Sequence, residues 1–146
     1  MCENQMRMTI DSRSSNESFA RVAVAAFVAQ LDPTVEEISD IKTAVSEAVT
    51  NSIVHGYCDE IGKIYITVQI LKNRYVKISI RDKGRGIEDV QKAMEPLFTT
   101  VGGERAGLGF AVMQSFMDKV KVRSAVGKGT TVTMSKAISF RLPSNG

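Results

Sequence analysis

Ile64-Tyr65-Ile66-Thr67-Val68-Gln69-Ile70 and, after Lys72-Asn73-Arg74, Val76-Lys77-Ile78-Ser79-Ile80-Arg81 alternate apolar and polar residues with a period of two. This is the pattern of two strands with one face on a core and the other in water, and so short a connection makes them a hairpin. Alternation of this kind recurs more weakly towards both ends of the chain. Residues 6–12 alternate loosely and predict an opening strand, while Val120 to Ser124 and Thr130 to Lys136 predict a closing pair joined by Gly127-Lys128-Gly129.

Between these strands the spacing becomes helical. Ser14-Ser15-Asn16-Glu17 has the spacing of a capping box, so a helix starts there. From Phe19 to Leu31 its residues are almost all apolar, with Arg21 the only charge. That is more apolar surface than one amphipathic contact needs, which implies either a partner interface or burial on two sides within the monomer. Asp32-Pro33 reads as an N-cap with proline at the first helical position, and Glu36 and Glu37 complement the macrodipole. The stripe Ile38, Ile41, Val45, Ala48, Val49 and Ser52 carries this second helix to about His55, with Gly56 as C-cap. Residues 88–95 predict a short helix stopped by Pro96, 97–107 a loop, and Leu108 to Met117 a further helix. Hairpin-linked strands with helices grouped in blocks predict an α/β, two-layer sandwich: a mixed, mostly antiparallel sheet with helices on one face, formed by residues 1–146 as a single domain.

Composition narrows the function classes. With 43% hydrophobic and 24% charged residues the chain suits a globular protein rather than a disordered one. A net charge of only +3 does not predict direct nucleic-acid binding, and the alternating Lys119, Lys121 and Arg123 read as a solvated strand face. No apolar run reaches the ~20 residues of a bilayer span and the N-terminus lacks a signal-peptide core, so a cytoplasmic protein without membrane contact is expected. Cys2 and Cys58 form no disulfide framework or paired-cysteine metal motif.

Three segments carry candidate chemistry. Glu47, Asn51 and His55 recur every four residues, stacking a carboxylate, an amide and an imidazole along one helix face. The face is either solvated or the lining of a cleft. Ser46, Thr50, Asn51 and Ser52 favour the cleft, because an exposed helix face is better served by Lys, Glu or Gln. Asp82-Lys83-Gly84-Arg85-Gly86 ends the second hairpin strand. Asp82 continues the even series Val76, Ile78, Ile80, so a persisting strand points its carboxylate at the apolar layer, where it needs a donor. The other reading is an Asp-Gly turn with the carboxylate in water. Gly107-Leu108-Gly109 opens the third long helix, where free amides and the macrodipole attract phosphate. No Gly-x-x-x-x-Gly-Lys-Ser/Thr loop is present, so any nucleotide is held differently.

In this order, the carboxylate-amide helix, the Asp-x-Gly-x-Gly strand end and the Gly-x-Gly helix start resemble the three nucleotide-binding boxes of the ATPase superfamily that unites DNA gyrase, heat-shock chaperones, histidine kinases and mismatch-repair ATPases. Within it, Asn16-Glu17-Ser18-Phe19-Ala20-Arg21-Val22, Gln30-Leu31-Asp32-Pro33-Thr34, Ser46-Glu47-Ala48-Val49-Thr50-Asn51, His55-Gly56-Tyr57 and Pro96-Leu97-Phe98-Thr99-Thr100 resemble the sporulation anti-sigma-F factors over nearly the whole chain.

That resemblance implies the histidine-kinase-like ATPase fold, a Mg-ATP-dependent serine kinase, an anti-anti-sigma protein as its substrate, a sequestered sporulation sigma factor and a homodimer. Glu47 would be the general base and Asn51 the Mg²⁺ ligand. Asp82 would read the adenine amino group, with Gly84, Gly86, Ile87 and Thr130 around the base, and His55 would be a further nucleotide-binding residue. Thr99, Thr100, Gly107, Leu108 and Gly109 would form the lid and phosphate region, and Arg21, Glu104 and Arg105 would touch partners. The segment 58–62 and the lid residues Val101 to Ala106 match the family less well. The chemistry is coherent on its own terms, since one amide oxygen plus phosphates and waters suits magnesium. A carboxylate one turn away can orient either a seryl hydroxyl or a water. His55 is the only histidine, so autophosphorylation on histidine has no separate acceptor. A binding module whose nucleotide only tunes affinity is the non-enzymatic alternative.

Overall fold

The computed structural model describes residues 2–94 and 104–140, with the backbone alone for 104–108. Five strands form one sheet in the order β1-β2-β3-β5-β4, where β1 is Cys2–Asp11, β2 Lys63–Leu71, β3 Tyr75–Asp82, β4 Lys119–Ala125 and β5 Gly129–Ala137. Every pairing is antiparallel. The hairpin register aligns Ile64 with Asp82, Ile66 with Ile80 and Val68 with Ile78, so all the even positions share one face. That face is buried, as period-two alternation requires.

Helices α1 (Ser15–Val28), α2 (Val35–Asn51) and α4 (Glu104–Phe116) cover it, with α2 central and α1 and α4 on either side, and a short α3 (Val90–Met94) beside α4. Ile64, Ile66, Ile78, Ile80 and Met134 meet Val24, Val28, Ile41, Val45, Phe110 and Met113 in a core from which water is excluded. The sheet's other face is open. The two-layer α/β arrangement expected from the alternation is therefore present.

Helix ends differ from expectation in instructive ways. Ser14 makes no side-chain cap, because the polar contact at this corner is made by Asn16, whose Nδ2 donates to the Asp11 carbonyl at 3.0 Å. Asp32 adopts φ 51° and ends the 3-10 turn Ala29–Leu31, so Thr34, not Asp32, caps α2. Thr34 Oγ1 accepts from Glu37 N–H at 3.0 Å and Glu37 Oε1 from Thr34 N–H at 2.8 Å, a reciprocal capping box two residues beyond the predicted N-cap. Helix α4 starts at Glu104 rather than Leu108, since Glu104-Arg105-Ala106 are strong helix formers and propagate the helix upstream of the glycines. Helix α1 keeps two apolar faces: Ala20, Val24 and Val28 are buried, whereas Phe19 and Val22 are more than half exposed.

Candidate functional site

Helix α2 does not run regularly to His55. After Asn51 the backbone widens into a π-helical turn, Ser52–Gly56, closed by Tyr57 N–H donating to the Ser52 carbonyl at 2.9 Å. Such widened turns concentrate at functional sites, because they re-aim side chains and free carbonyls. Here the turn brings Ser52 beneath Asp82. It also presents the carbonyls of His55 and Gly56 to Arg85, which binds them through Nε at 2.8 Å and N–H at 2.9 Å. Gly56 is no left-handed cap; it lacks a side chain because a Cβ would stand 3.0 Å from Asp82 Oδ2.

Asp82 is buried and faces the helix layer, as strand parity predicts. Its carboxylate accepts from Ser52 Oγ at 2.8 Å, Gly84 N–H at 2.9 Å and Thr130 N–H at 3.3 Å. A carboxylate offers about four lone-pair sites, so roughly one remains for a further donor. The residues around it are tied together: Thr130 Oγ1 and Ser124 Oγ lie 2.7 Å apart, and Ser124 Oγ accepts from Ile87 N–H at 2.7 Å. Tyr57 holds the adjoining loop, its hydroxyl donating to the Lys63 carbonyl and accepting from Lys83 N–H at 2.8 Å.

Asn51 is the opposite case. It is 9% exposed, and among the described residues neither Oδ1 nor Nδ2 has a hydrogen-bond partner. A buried amide left this way costs about 1–3 kcal/mol, which a ligand bonding to it would recover. Glu47 shares its neighbourhood. A Cβ on Gly109 would stand 3.1 Å from Glu47 Oε2, 3.2 Å from Asn51 Nδ2 and 3.3 Å from Asn51 Oδ1. The carboxylate and the amide thus converge on the backbone of α4, at a position where a side chain would push against them.

These groups border a cavity of about 250 Å³ lined by Ala48, Asn51, Ser52, His55, Gly56, Asp82, Arg85, Gly86, Ile87, Ala93, Phe110, Thr130 and Val132. Of the predicted site, Asn51, His55, Asp82, Gly86, Ile87 and Thr130 line it together, Gly84 acts on Asp82 through its N–H, and Gly109 abuts Asn51. Glu47 stands at its rim, also facing a groove between α1 and α2 that contains Arg21. Arg21 forms a 3.7 Å ion pair with Glu17 within α1.

Gly107 and Gly109 are the fourth and sixth residues of α4, which begins at Glu104. Glu104 and Arg105 lie in its first turn. Thr99 and Thr100 fall outside the described residues. The sequence reading missed Ser52 as partner of Asp82, along with Arg85, Ser124 and Tyr57. Ser52 alone carried a signal, a hydroxyl on an otherwise apolar stripe.

Comparison with known proteins now decides the family. Residues 11–136 match the histidine kinase-like ATPase domain. The chain is 61% identical over 136 residues to an anti-sigma F factor of Caldanaerobacter subterraneus, covering 92% of this chain and 94% of the relative. It is 59% identical over 142 residues to an anti-sigma F factor of Clostridium botulinum strain Eklund 17B, covering 96% and 99%. The chain belongs to the anti-sigma F factor family. Its ATPase domain makes ATP the ligand class. A crystal structure of the RsbU and RsbW domains of a Mycobacterium tuberculosis protein shares the fold, with TM-score 0.68 and 20% identity over 92% of this chain and 32% of that one. The histidine kinase domain of an Erythrobacter litoralis blue-light activated kinase shares it more distantly, with TM-score 0.54 and 18% identity over 84% and 61%. Among the described residues no helix is long and apolar enough to cross a membrane, and no cluster of three His, Cys, Asp or Glu is placed to hold a metal.

Proposed function

We propose that this anti-sigma F family member is an ATP-dependent protein-serine kinase that phosphorylates an anti-anti-sigma protein and separately sequesters a sporulation sigma factor. The observation that carries the reading is the convergence of Glu47 and the unpartnered Asn51 on Gly109 at the edge of the cavity.

The base of ATP fits the Asp82 end. The remaining acceptor of Asp82 suits an exocyclic amino group, and Ile87, Phe110 and Val132 supply apolar walls. The amide oxygen of Asn51 suits a hard cation, and one such ligand plus phosphate oxygens and waters is how magnesium is usually held. Bound Mg-ATP supplies the phosphoryl group and neutralises its charge. Glu47, beside Asn51, orients the acceptor hydroxyl and takes its proton, the role of the carboxylate base in kinases. Its second exposure, to the groove between α1 and α2, gives a protein substrate a route to it, and Arg21 lies along that route. Glu104 and Arg105, in the first turn of α4, are proposed as further partner contacts, and Thr99 and Thr100 as part of the lid.

The exposed Phe19 and Val22 on α1 and the ten-residue edge strand β1 suit a homodimer in the cytoplasm. A nucleotide-tuned binder without catalysis is the competing reading. Phosphate transfer from Mg-ATP to a purified anti-anti-sigma protein separates the two. Wild type should transfer, and Glu47→Gln should fall about 10²- to 10⁴-fold while still binding ATP. No transfer by either protein, with ATP bound, would establish the binder.

A further inference from the structure

The face of the sheet that no helix covers carries a charge pattern that only the strand order reveals. Strand β5 lies between β3 and β4, and its register aligns Lys77 with Ser135 and Lys119, Ser79 with Thr133 and Lys121, and Arg81 with Thr131 and Arg123. Three consecutive rungs therefore place hydroxyls on a floor along β5 and exposed cations on both sides of it. Read along the chain, Lys119, Lys121 and Arg123 are one solvated strand face; folded, they are one wall of a trough whose other wall carries Lys77, with Arg81 beyond it on the Tyr65 ring.

The trough is a groove of about 780 Å³. Four cations line it, Lys77 across from Lys119, Lys121 and Arg123, within about 10 Å across and 14 Å along, from strand spacings of ~4.8 Å and ~3.4 Å per residue. No Asp or Glu occupies these three rungs. Lys77, Lys119, Lys121 and Arg123 form no ion pair among the described residues, and Arg81 lies over the Tyr65 ring at 4.8 Å. Like charges held this close repel, and an anion lying between them would relieve that repulsion.

We propose that this trough binds the phosphate backbone of a nucleic acid, one strand lying along β5 with cations on either side. Apart from Leu71, Tyr75 and Val122, the groove is lined by Lys, Arg, Ser and Thr, and this composition separates it from a site for an acidic protein. Protein interfaces are depleted in Lys and Ser and enriched in aromatic and apolar anchors, whereas phosphate contacts come from Lys, Arg, Ser and Thr side chains. The surface is remote from the cavity, on the opposite face of the sheet, and stands independently of the proposed kinase activity.

Fluorescence anisotropy of a labelled oligothymidylate of about 15 nucleotides against the full chain tests this. Binding is expected at about 50 mM salt, with log K falling against log salt at a slope of roughly −2 to −3, for three or four neutralised phosphates. The triple variant Lys119→Glu, Lys121→Glu, Arg123→Glu should lose at least about tenfold, and Lys77→Glu on the opposite wall should weaken binding too, with thermal stability and ATP binding unchanged. Absence of wild-type binding at that salt, undiminished binding by the triple variant, or equal competition by polyglutamate or by anionic lipid vesicles would each overturn the proposal.

Discussion

The two ends of the cavity are built on opposite principles. At one end Asp82, a charge, is nearly saturated: a serine hydroxyl from the π turn and two backbone N–H groups hold it before any ligand arrives. At the other end Asn51, a neutral amide, is also buried and has no side-chain hydrogen bond among the described residues. Satisfied, a buried polar group fixes shape; unsatisfied, it stores free energy that binding can release. The Asp82 end is thus a preformed mould, and the Asn51 end holds polar atoms open to a further partner.

The sharpest way to break this contrast is to remove the saturated group. Asp82→Ala should lower stability by about 3 kcal/mol or more in chemical denaturation, because Ser52, Gly84 and Thr130 all lose their acceptor. Asp82→Asn keeps an oxygen for those donors, so it should remain folded and lose mainly nucleotide affinity. A smaller effect is expected from Gly109→Ala, whose methyl would meet both Glu47 and Asn51. Its fold should hold, since alanine suits a helix, but isothermal titration should show ATP binding weakened by about tenfold or more. If binding were unchanged, Glu47 and Asn51 would not meet the ligand there.

The third test uses a saturated polar cluster far from the cavity. Burial pushes the Glu37 carboxyl up, but hydrogen bonds from Thr34 and Ser139 outweigh it and leave its pKa lowered. Glu37 therefore adds stability above the usual glutamate range, and that contribution is lost as pH falls through its lowered pKa. Thr34→Ala should cost about 1 kcal/mol near neutral pH and leave nucleotide affinity alone. In Glu37→Gln the acid-side loss of stability should be shallower than in wild type.

Much of this was legible in the chain. Strict alternation located the hairpin, and counting parity along Val76, Ile78, Ile80 turned the Asp82 carboxylate inward before any packing was known. What stayed hidden depends on contacts between distant segments. The π turn follows from Ser52 reaching Asp82, thirty positions later. The choice of Thr34 over Asp32 as cap rests on Glu37 closing the box and on Ser139 binding Glu37 from across the fold. Likewise the trough on the open face needs β5 inserted between β3 and β4, which no local pattern announces.

Thermal unfolding of Asn51→Ala, with and without Mg-ATP, tests the central contrast most directly. The account predicts a nucleotide-free protein at least as stable as wild type, because a costly buried amide is gone. It also predicts loss of the nucleotide-induced gain, which in wild type should reach about 2.7 kcal/mol at a hundredfold excess over Kd. A variant that is clearly destabilised without nucleotide, yet gains as much from Mg-ATP as wild type does, would contradict it.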